Sequence, residues 1–335
     1  MKSTNKTGLI IFICISVLAV AFGVIALLYP KTETKRPGNS GGVNINLPGF
    51  SFSAGKQGVK KAFKNNDYIA KLFIDGIIID ETKSYNQKWI LETIKDLAED
   101  NHNQGIMLCL NTPGGGVYQS DEVYLALLDY KKTTERPVYA YITQLAASGG
   151  YYIACAADKI YGNRNGLTGS IGVIFGQSVD ATEMLGKIGI KTKTFHAGKN
   201  KNMLSYDEPL TEEQESIMQT IAEEAYNQFT QIVSEGRNMP IEKVRKIADG
   251  RIYSTLQAKN NGLIDDVCTF DEAVDHLFKD FELSEDIDVE DYEYEFTDTL
   301  SSWLGNILTR VTGTGAFAKR LETANIPFPA YYYNW

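Results

Sequence analysis

Short apolar stretches alternate with amphipathic stretches through the middle of the chain. Three apolar stretches, YIAKLFIDGIII from Tyr68, GIMLCLN from Gly105 and PVYAYI from Pro137, have the length and the β-branched or aromatic content of buried strands. Between them, apolar residues recur at helical spacing over 87–98 and 120–132. This alternation is typical of βαβ units and a largely parallel sheet, so we predict an α/β fold.

The second half of the chain contains more helical patterns. TEEQ at Thr211 forms a capping box and Gly236 can end a helix, so we predict one long helix between them. The stretch MPIEKVRKIADGRIYSTLQAKNNGLIDDV predicts two further helices around a tight turn. We also predict a buried helix in YYIACAADKI (151–160) and a strand in KTKTF (191–195).

The N-terminus contains no charged residue from Leu9 to Tyr29. A helix of this length reaches ~31 Å, which is enough to cross a bilayer core of ~30 Å. The alternative is a cleaved signal peptide, but such peptides have an apolar core of only ~7–15 residues, and no small-x-small cleavage site follows. We therefore expect an uncleaved transmembrane helix.

Changes in composition divide the chain into four parts. Residues 1–30 form the predicted anchor, and 31–66, rich in glycine, serine and asparagine, are interpreted as a flexible linker. Residues 67–281 form the folded body. Residues 282–335 comprise an acidic segment and the aromatic tail IPFPAYYYNW. The tail is too apolar for an ordinary solvated end, so we hypothesise that it docks on the body or on a neighbouring subunit.

Charge and cysteine spacing exclude some classes of function. The net charge of −9 argues against nucleic acid as a partner. The four cysteines, Cys14, Cys109, Cys155 and Cys268, lie far apart among apolar residues, without the spacing of a metal site. We expect buried free thiols and no bound metal.

Ser148 lies between the strand PVYAYI and the next predicted helix, within AASGG. A serine there is exposed at the carboxyl end of a strand, where α/β folds place their sites. The amides of the following helix could stabilise a negative charge beside it. The alternative is a turn of small residues that lets the helix pack closely on the sheet.

A second strand end carries TPGGGVY, with glycines at 114–116. Glycines allow positive φ and let main-chain N–H groups face a ligand. Two such strand ends could each supply one donor to the same oxyanion. A phosphate-binding loop is disfavoured, since neither G-x-x-x-x-G-K-[ST] nor G-x-G-x-x-G occurs.

A nucleophilic serine needs a base, and the sequence offers two kinds. The histidines His102, His196 and His276 are isolated, and none lies near Ser148 in sequence. A lysine can act instead when its amine is neutral, which requires a pKa lowered from ~10.4 towards ~7 by burial. Lys199 and Lys201 are candidates, close together in AGKNKN.

Four motifs together, NTPGGGVYQS, AASGGYYIACAADKI, LTGSIGV and AGKNKNMLS, resemble bacterial signal peptide peptidase A, a family of membrane-anchored serine/lysine proteases. The resemblance covers the chain from about Tyr68 to Val267. It implies a Clp-protease/crotonase-like fold of repeated ββα and βαβ units, with an N-terminal transmembrane helix. The acidic segment and the aromatic tail match the family poorly.

The resemblance implies a role for individual residues. The family's nucleophile falls on Ser148, and its lysine base falls on Lys201, in a Gly-x-x-Lys pattern, with Lys199 as a competitor two positions away. The hydroxyl that holds the lysine amine falls on Ser170. The oxyanion donors fall on the N–H of Gly149, the residue after the nucleophile, and on that of Gly115 or its neighbour Gly114. No cofactor or metal is implied.

The resemblance also implies a substrate, a location and an assembly. The substrate would be the remnant signal peptide, and other short or unfolded polypeptides, cleaved through an acyl-enzyme. The protein would be a single-pass protein of the cell membrane with an extracytoplasmic catalytic domain. Because the chain has one copy of the domain, Lys201 would serve Ser148 of an adjacent subunit in a ring, an octamer. Two alternatives are a crotonase-like acyl-thioester enzyme and a non-catalytic peptide-binding scaffold.

Overall fold

Eight strands form one sheet in the computed structural model, which describes residues 43–47, 50–54, 66–284 and 286–296. In chain order, these strands are β3 (Tyr68–Asp75), β4 (Asn103–Thr112), β5 (Val138–Ala147), β6 (Lys159–Gly162), β7 (Leu167–Gly169), β8 (Ile252–Ser254), β9 (Asp266–Val267) and β10 (Asp288–Tyr292). The spatial order is β10-β3-β4-β5-β6-β9, and every pair in that series is parallel. The predicted α/β class and the largely parallel sheet are therefore confirmed.

Helices connect most of these strands. They are α1 (Gln87–Glu99), α2 (Val117–Thr134), α3 (Gly149–Ala154), α4 (Thr182–Lys187), α5 (Glu212–Gly236), α6 (Ile241–Ile247), α7 (Thr255–Asn261) and α8 (Phe270–Asp280). The long helix α5 starts where the sequence predicts, since Thr211 and Gln214 form the expected capping box.

The sheet has a hydrophobic core on each face. The larger core joins α1, α2, α3 and the C-terminal part of α5 to the sheet through residues such as Leu72, Leu108 and Tyr151. The smaller one packs α8 against Tyr139 and Tyr161. The central strand β4 is buried over most of its length because both faces are covered, which explains its continuous apolar sequence.

A separate hairpin lies nearer the N-terminus. Strands β1 (Val43–Leu47) and β2 (Phe50–Ala54) pair antiparallel, with Leu47 opposite Phe50. This hairpin falls within the stretch interpreted above as a flexible linker, and the sequence analysis did not predict it.

Two local predictions are wrong. YYIACAADKI is not one helix: α3 ends at Ala154, and Lys159 begins β6, which pairs with β5. A helix continued through this stretch would leave β5 without its parallel neighbour. KTKTF forms no strand, because residues 191–195 make no ladder with another strand of the described chain.

The acidic segment supplies an edge strand. β10 pairs in parallel with β3, with Asp288 opposite Tyr68 and Tyr292 opposite Leu72. Lys71 Nζ lies 3.2 Å from Asp291 Oδ1, and the ring of Tyr292 stacks on that of Tyr68 with centroids 6.2 Å apart. The acidic sequence of this segment does not predict a strand.

The predicted anchor, Leu9–Tyr29, and the aromatic tail lie outside the described residues. Among the helices of the described part, none combines the length and the apolar character needed to cross a membrane.

Candidate active site

Strand register brings three strand ends together. Thr112 of β4 lies opposite Ala146 of β5, and Ala147 of β5 lies opposite Gly169 of β7. All three strands run parallel, so the residues that follow them meet at one edge of the sheet. Those residues are the glycine loop 113–116, Ser148 and Ser170.

Ser148 occupies a strained turn between β5 and α3. Its φ of 52° and ψ of −120° lie in a region that non-glycine residues rarely adopt, at a cost of about 1–3 kcal/mol. Its N–H donates to Gly169 O over 2.9 Å, and its carbonyl oxygen accepts from Tyr152 N over 2.9 Å. The surrounding hydrogen bonds therefore hold the strain, as in the strand-to-helix turns that expose nucleophilic serines.

The glycine loop packs directly against this turn. Gly114 has a φ of +95°, and a Cβ there would lie 2.8 Å from Ser148 Cβ and 2.7 Å from Ala147 O. A Cβ on Gly115 would lie 2.0 Å from Ile78 O. Only glycine fits at these two positions, because the neighbouring main chain leaves no room for a side chain.

The main-chain amides of Gly115 and Gly149 lie close together beside Ser148. The N–H of Gly114 donates to Thr112 Oγ1 over 3.0 Å, and that of Gly116 donates to Ile78 O over 2.8 Å. The Gly115 N–H has no acceptor among the described residues. A Cβ on Gly149 would lie 3.3 Å from Gly115 N, so the Gly115 and Gly149 amides are close neighbours. This arrangement fits an oxyanion hole, with Gly115 the better donor of the two loop candidates.

Ser148 and Ser170 line the same cavity. The cavity has a volume of about 740 Å³, and Gly115 and part of α5 also line it. Ser170 follows β7 with a φ of 51°, and its N–H donates to Arg251 O over 2.8 Å. The structure thus brings together Ser148, Ser170 and the three glycines that sequence analysis selected.

The two candidate lysines lie elsewhere in the chain. Both are exposed, in the segment between β7 and α5, and neither lines a cavity that contains Ser148. Lys199 forms an ion pair with Glu213, which lowers the pKa of that carboxyl through hydrogen bonding. The side chain of Lys201 forms no salt bridge with any described residue. The main-chain N–H of Lys201 donates to Gly198 O over 3.1 Å.

The three histidines contact other parts of the chain. His102 Nδ1 lies 3.0 Å from Asp67 Oδ1, His196 Nδ1 lies 3.1 Å from Gly198 O, and His276 packs on Tyr161. None of the three lines a cavity with Ser148 in the described chain. Within one subunit, therefore, none of these histidines shares a cavity with Ser148.

The two buried thiols offer no alternative nucleophile. Cys109 and Cys155 are free and buried, as predicted, and burial raises the pKa of each to about 12. Both are protonated at neutral pH, and a protonated thiol is a poor nucleophile. Cys268 is free but only half-buried, contrary to the prediction, and Cys14 lies outside the described residues. Among the described residues, no group of histidine, cysteine and acidic side chains could hold a metal ion.

Comparison with known proteins decides the family. The profile described as Peptidase family S49 matches residues 130–284. A relative from Enterococcus faecium, named as a signal peptide peptidase SppA, is 33% identical over 325 residues, which cover 92% of this chain and 94% of the relative. The chain belongs to peptidase family S49. The resemblance found in the sequence motifs is thereby confirmed.

Two more distant relatives carry protease names. Protease 4 of Haemophilus influenzae is 30% identical over 265 residues, covering 78% of this chain and 42% of that protein. A chloroplastic serine protease, SPPA, of Arabidopsis thaliana is 32% identical over 186 residues, covering 55% of this chain and 27% of the relative. As a member of family S49, the protein is a serine-type peptidase.

Sequence reasoning missed part of the site. Tyr152 and Phe229 line a small pocket that opens beside Ser148 and Gly149. The capping box of α5 signalled this helix, and its apolar face includes Phe229, but no sequence signal places that face against the residues that follow Ser148.

Proposed function

We propose that the protein is a membrane-anchored serine endopeptidase that uses Ser148 and Lys201 to cleave remnant signal peptides and other short or unfolded polypeptides. One observation carries the proposal: Ser148, at a strained strand-to-helix turn, adjoins the paired amides of Gly115 and Gly149. The fold would be of the Clp-protease/crotonase type, which the parallel sheet with its helices supports.

The proposed chemistry is acyl transfer without a cofactor. Ser148 Oγ attacks the substrate carbonyl carbon while Lys201 Nζ accepts the hydroxyl proton. The oxyanion accepts hydrogen bonds from the Gly115 and Gly149 amides. Lys201 then gives its proton to the leaving amine, and in the second half it takes a proton from the water that hydrolyses the ester. Ser170 holds the lysine amine in place.

We infer that the lysine comes from an adjacent subunit. Lys201 is exposed and does not line the cavity beside Ser148 of its own chain. The segment that carries it also exposes large apolar side chains, with Ile174 93% and Phe195 84% accessible. A neighbouring subunit that covered this segment would remove apolar surface from water and place Lys201 in a drier environment. A closed ring, such as an octamer, would repeat this contact at every interface.

Signal peptides are the proposed substrates because of two separate observations. A relative that aligns over 92% of this chain carries the name signal peptide peptidase. The charge-free stretch Leu9–Tyr29 would hold the body at a membrane, where such peptides remain after release. In this account the protein is a single-pass protein of the cell membrane with its catalytic domain outside the cytoplasm.

A peptidase assay on the full chain in detergent tests this function. Wild-type protein should cleave apolar peptides, and Ser148→Ala should cleave none above background. Ser284→Ala is a matched control, because Ser284 is exposed after α8 and lines neither of the cavities that contain Ser148. Binding of peptides without cleavage by wild type would favour a scaffold, and hydrolysis of acyl thioesters by Ser148→Ala would favour a crotonase-like enzyme.

A further inference from the structure

A small pocket extends from Ser148 into the space between α2, α3 and α5. It has a volume of about 70 Å³ and begins at Gly115, Ser148 and Gly149. If the substrate carbonyl lies between Ser148 Oγ and the two amides, this pocket is within reach of the side chain on the preceding α-carbon. A role for this pocket rests on the proposed function, in which Ser148 is the nucleophile.

Tyr152 forms a wall of this pocket and is directly coupled to the nucleophile. Its N–H donates to the carbonyl oxygen of Ser148, and its side chain is only 4% exposed. The ring packs edge-on against Tyr124, with centroids 5.4 Å apart, and at a tilt against Phe229, with centroids 5.1 Å apart. Aromatic contacts on two sides restrict sideways movement of the ring.

The hydroxyl group of Tyr152 is fixed as well. It donates to Asp121 Oδ1 over 2.6 Å and accepts from Gln228 Nε2 over 2.7 Å. Gln228 Nε2 also lies 3.2 Å from Asp121 Oδ1. Burial and the hydrogen bond to Asp121 both raise the pKa of Tyr152, so the phenol stays protonated and keeps donating. The three residues belong to α2, α3 and α5, and we call them the tyrosine latch.

We propose that Tyr152 determines which side chain the enzyme accepts next to the scissile bond, and that Asp121 and Gln228 are positioning residues that keep its ring in place. A volume of about 70 Å³ is several times the ~15 Å³ that one water needs, which is room for a small or medium aliphatic side chain. With the latch closed, the ring cannot turn aside for a larger group. The selected class is therefore a peptide with a residue such as alanine or leucine at this position.

The test compares two peptides that differ only in this residue, leucine or tryptophan, on the full-length protein. Wild type should give a kcat/KM at least about tenfold higher for leucine, since misfit in an apolar pocket costs this much or more. Tyr152→Phe removes only the hydroxyl group, and with it both hydrogen bonds that hold the ring to Asp121 and Gln228. We expect the leucine-to-tryptophan preference to fall about fivefold or more in this variant.

Tyr139→Phe is the matched control. Tyr139 OH donates to Asp280 Oδ2 over 2.6 Å, the same kind of bond at the same length, on the face of the sheet that α8 covers. Both variants should lower the melting temperature, but only Tyr152→Phe should change the leucine-to-tryptophan ratio. Equal ratios in wild type and in Tyr152→Phe would overturn the proposal, as would a wild-type preference for tryptophan.

A second variant covers the case in which Tyr152→Phe fails to fold. Gln228 has an exposed side chain, so Gln228→Ala should fold and should shift the ratio in the same direction by a smaller factor. An unchanged ratio in Gln228→Ala would then overturn the latch. Failure of the proposed function would give a different result. Ser148→Ala would then still cleave peptides, whatever the leucine-to-tryptophan ratio of the other variants.

Discussion

Ser148 N–H donates to the carbonyl oxygen of Gly169, the residue before Ser170, over 2.9 Å. This bond continues the pairing of β5 with β7 by one residue beyond Ala147. It holds the strained turn at Ser148 and places Ser170 beside the same cavity. The relation between the two serines is therefore set by strand register, which is more rigid than a contact between loops.

The fit of the glycine loop against Ser148 gives a first prediction. Gly114→Ala would place a Cβ 2.7 Å from Gly149 N at a φ of +95°. We expect a loss of about 1–3 kcal/mol in the free energy of unfolding. Displacement of an oxyanion donor should also lower kcat by about 10²–10³-fold.

Gly262→Ala is the control for this prediction. Gly262 also has a positive φ, of +82°, but a Cβ there would meet only the flexible side-chain ends of Met239, at 3.1 Å, and Lys243, at 3.7 Å. It should lower the stability and leave kcat unchanged. Equal effects of the two variants on kcat would contradict the proposed role of the loop, and denaturant unfolding beside steady-state kinetics measures both quantities.

The lysines give a second prediction. Lys201→Ala should lower kcat by roughly 10⁴-fold or more, because it removes one member of a catalytic unit. Lys199→Ala should be nearly silent, since it removes only an exposed ion pair with Glu213. Steady-state kinetics on both variants decides between them. An inactive Lys199→Ala beside an active Lys201→Ala would reverse the assignment of the base.

The pH dependence of kcat/KM gives a third prediction. A lysine acts as base only as the neutral amine, so activity should be low where the amine is protonated and should rise as the pH increases. A histidine base would instead give a rise centred near pH ~6.5. A rise at that position that disappears in His196→Gln would show that the base is histidine.

The position of Lys201 outside the cavity gives a fourth prediction. Ser148→Ala and Lys201→Ala should each be inactive alone, and mixing them under conditions of subunit exchange should restore part of the activity. An intact serine of one subunit then meets an intact lysine of another. Mixing each variant with itself is the control. Continued inactivity with exchange shown by mass spectrometry would mean that both residues act within one chain.

The sequence predicts two kinds of element: those that local interactions stabilise, and those that are buried on all sides. The strand pattern of β4 reflects burial on both faces, and the capping box at Thr211 and Gln214 marks the start of α5 without any tertiary contact. The edge strand β10 has no such signal. Its sequence DVEDY is acidic, and its pairing depends on contacts with Lys71 and Tyr68, more than two hundred positions away.

The residues of the site can also be divided into those that a local motif predicts and those that only the folded chain brings together. Ser148 and the glycine loop could be selected because each stands in a short motif after a predicted strand. The tyrosine latch could not, because Asp121, Tyr152 and Gln228 are distant in sequence and meet only after three helices pack together. The strain at Ser148 is also a tertiary property, since the hydrogen bond to Gly169 holds it.

Covalent labelling of the full-length protein with a fluorophosphonate tests the central claim, that Ser148 is the nucleophile, most directly. Peptide mass spectrometry after digestion should find the phosphonate on Ser148, in the peptide that contains AASGG. Label should accumulate at the same rate as peptidase activity is lost, and Ser148→Ala should take up no label. A label on another residue, or full peptidase activity in Ser148→Ala, would contradict the account.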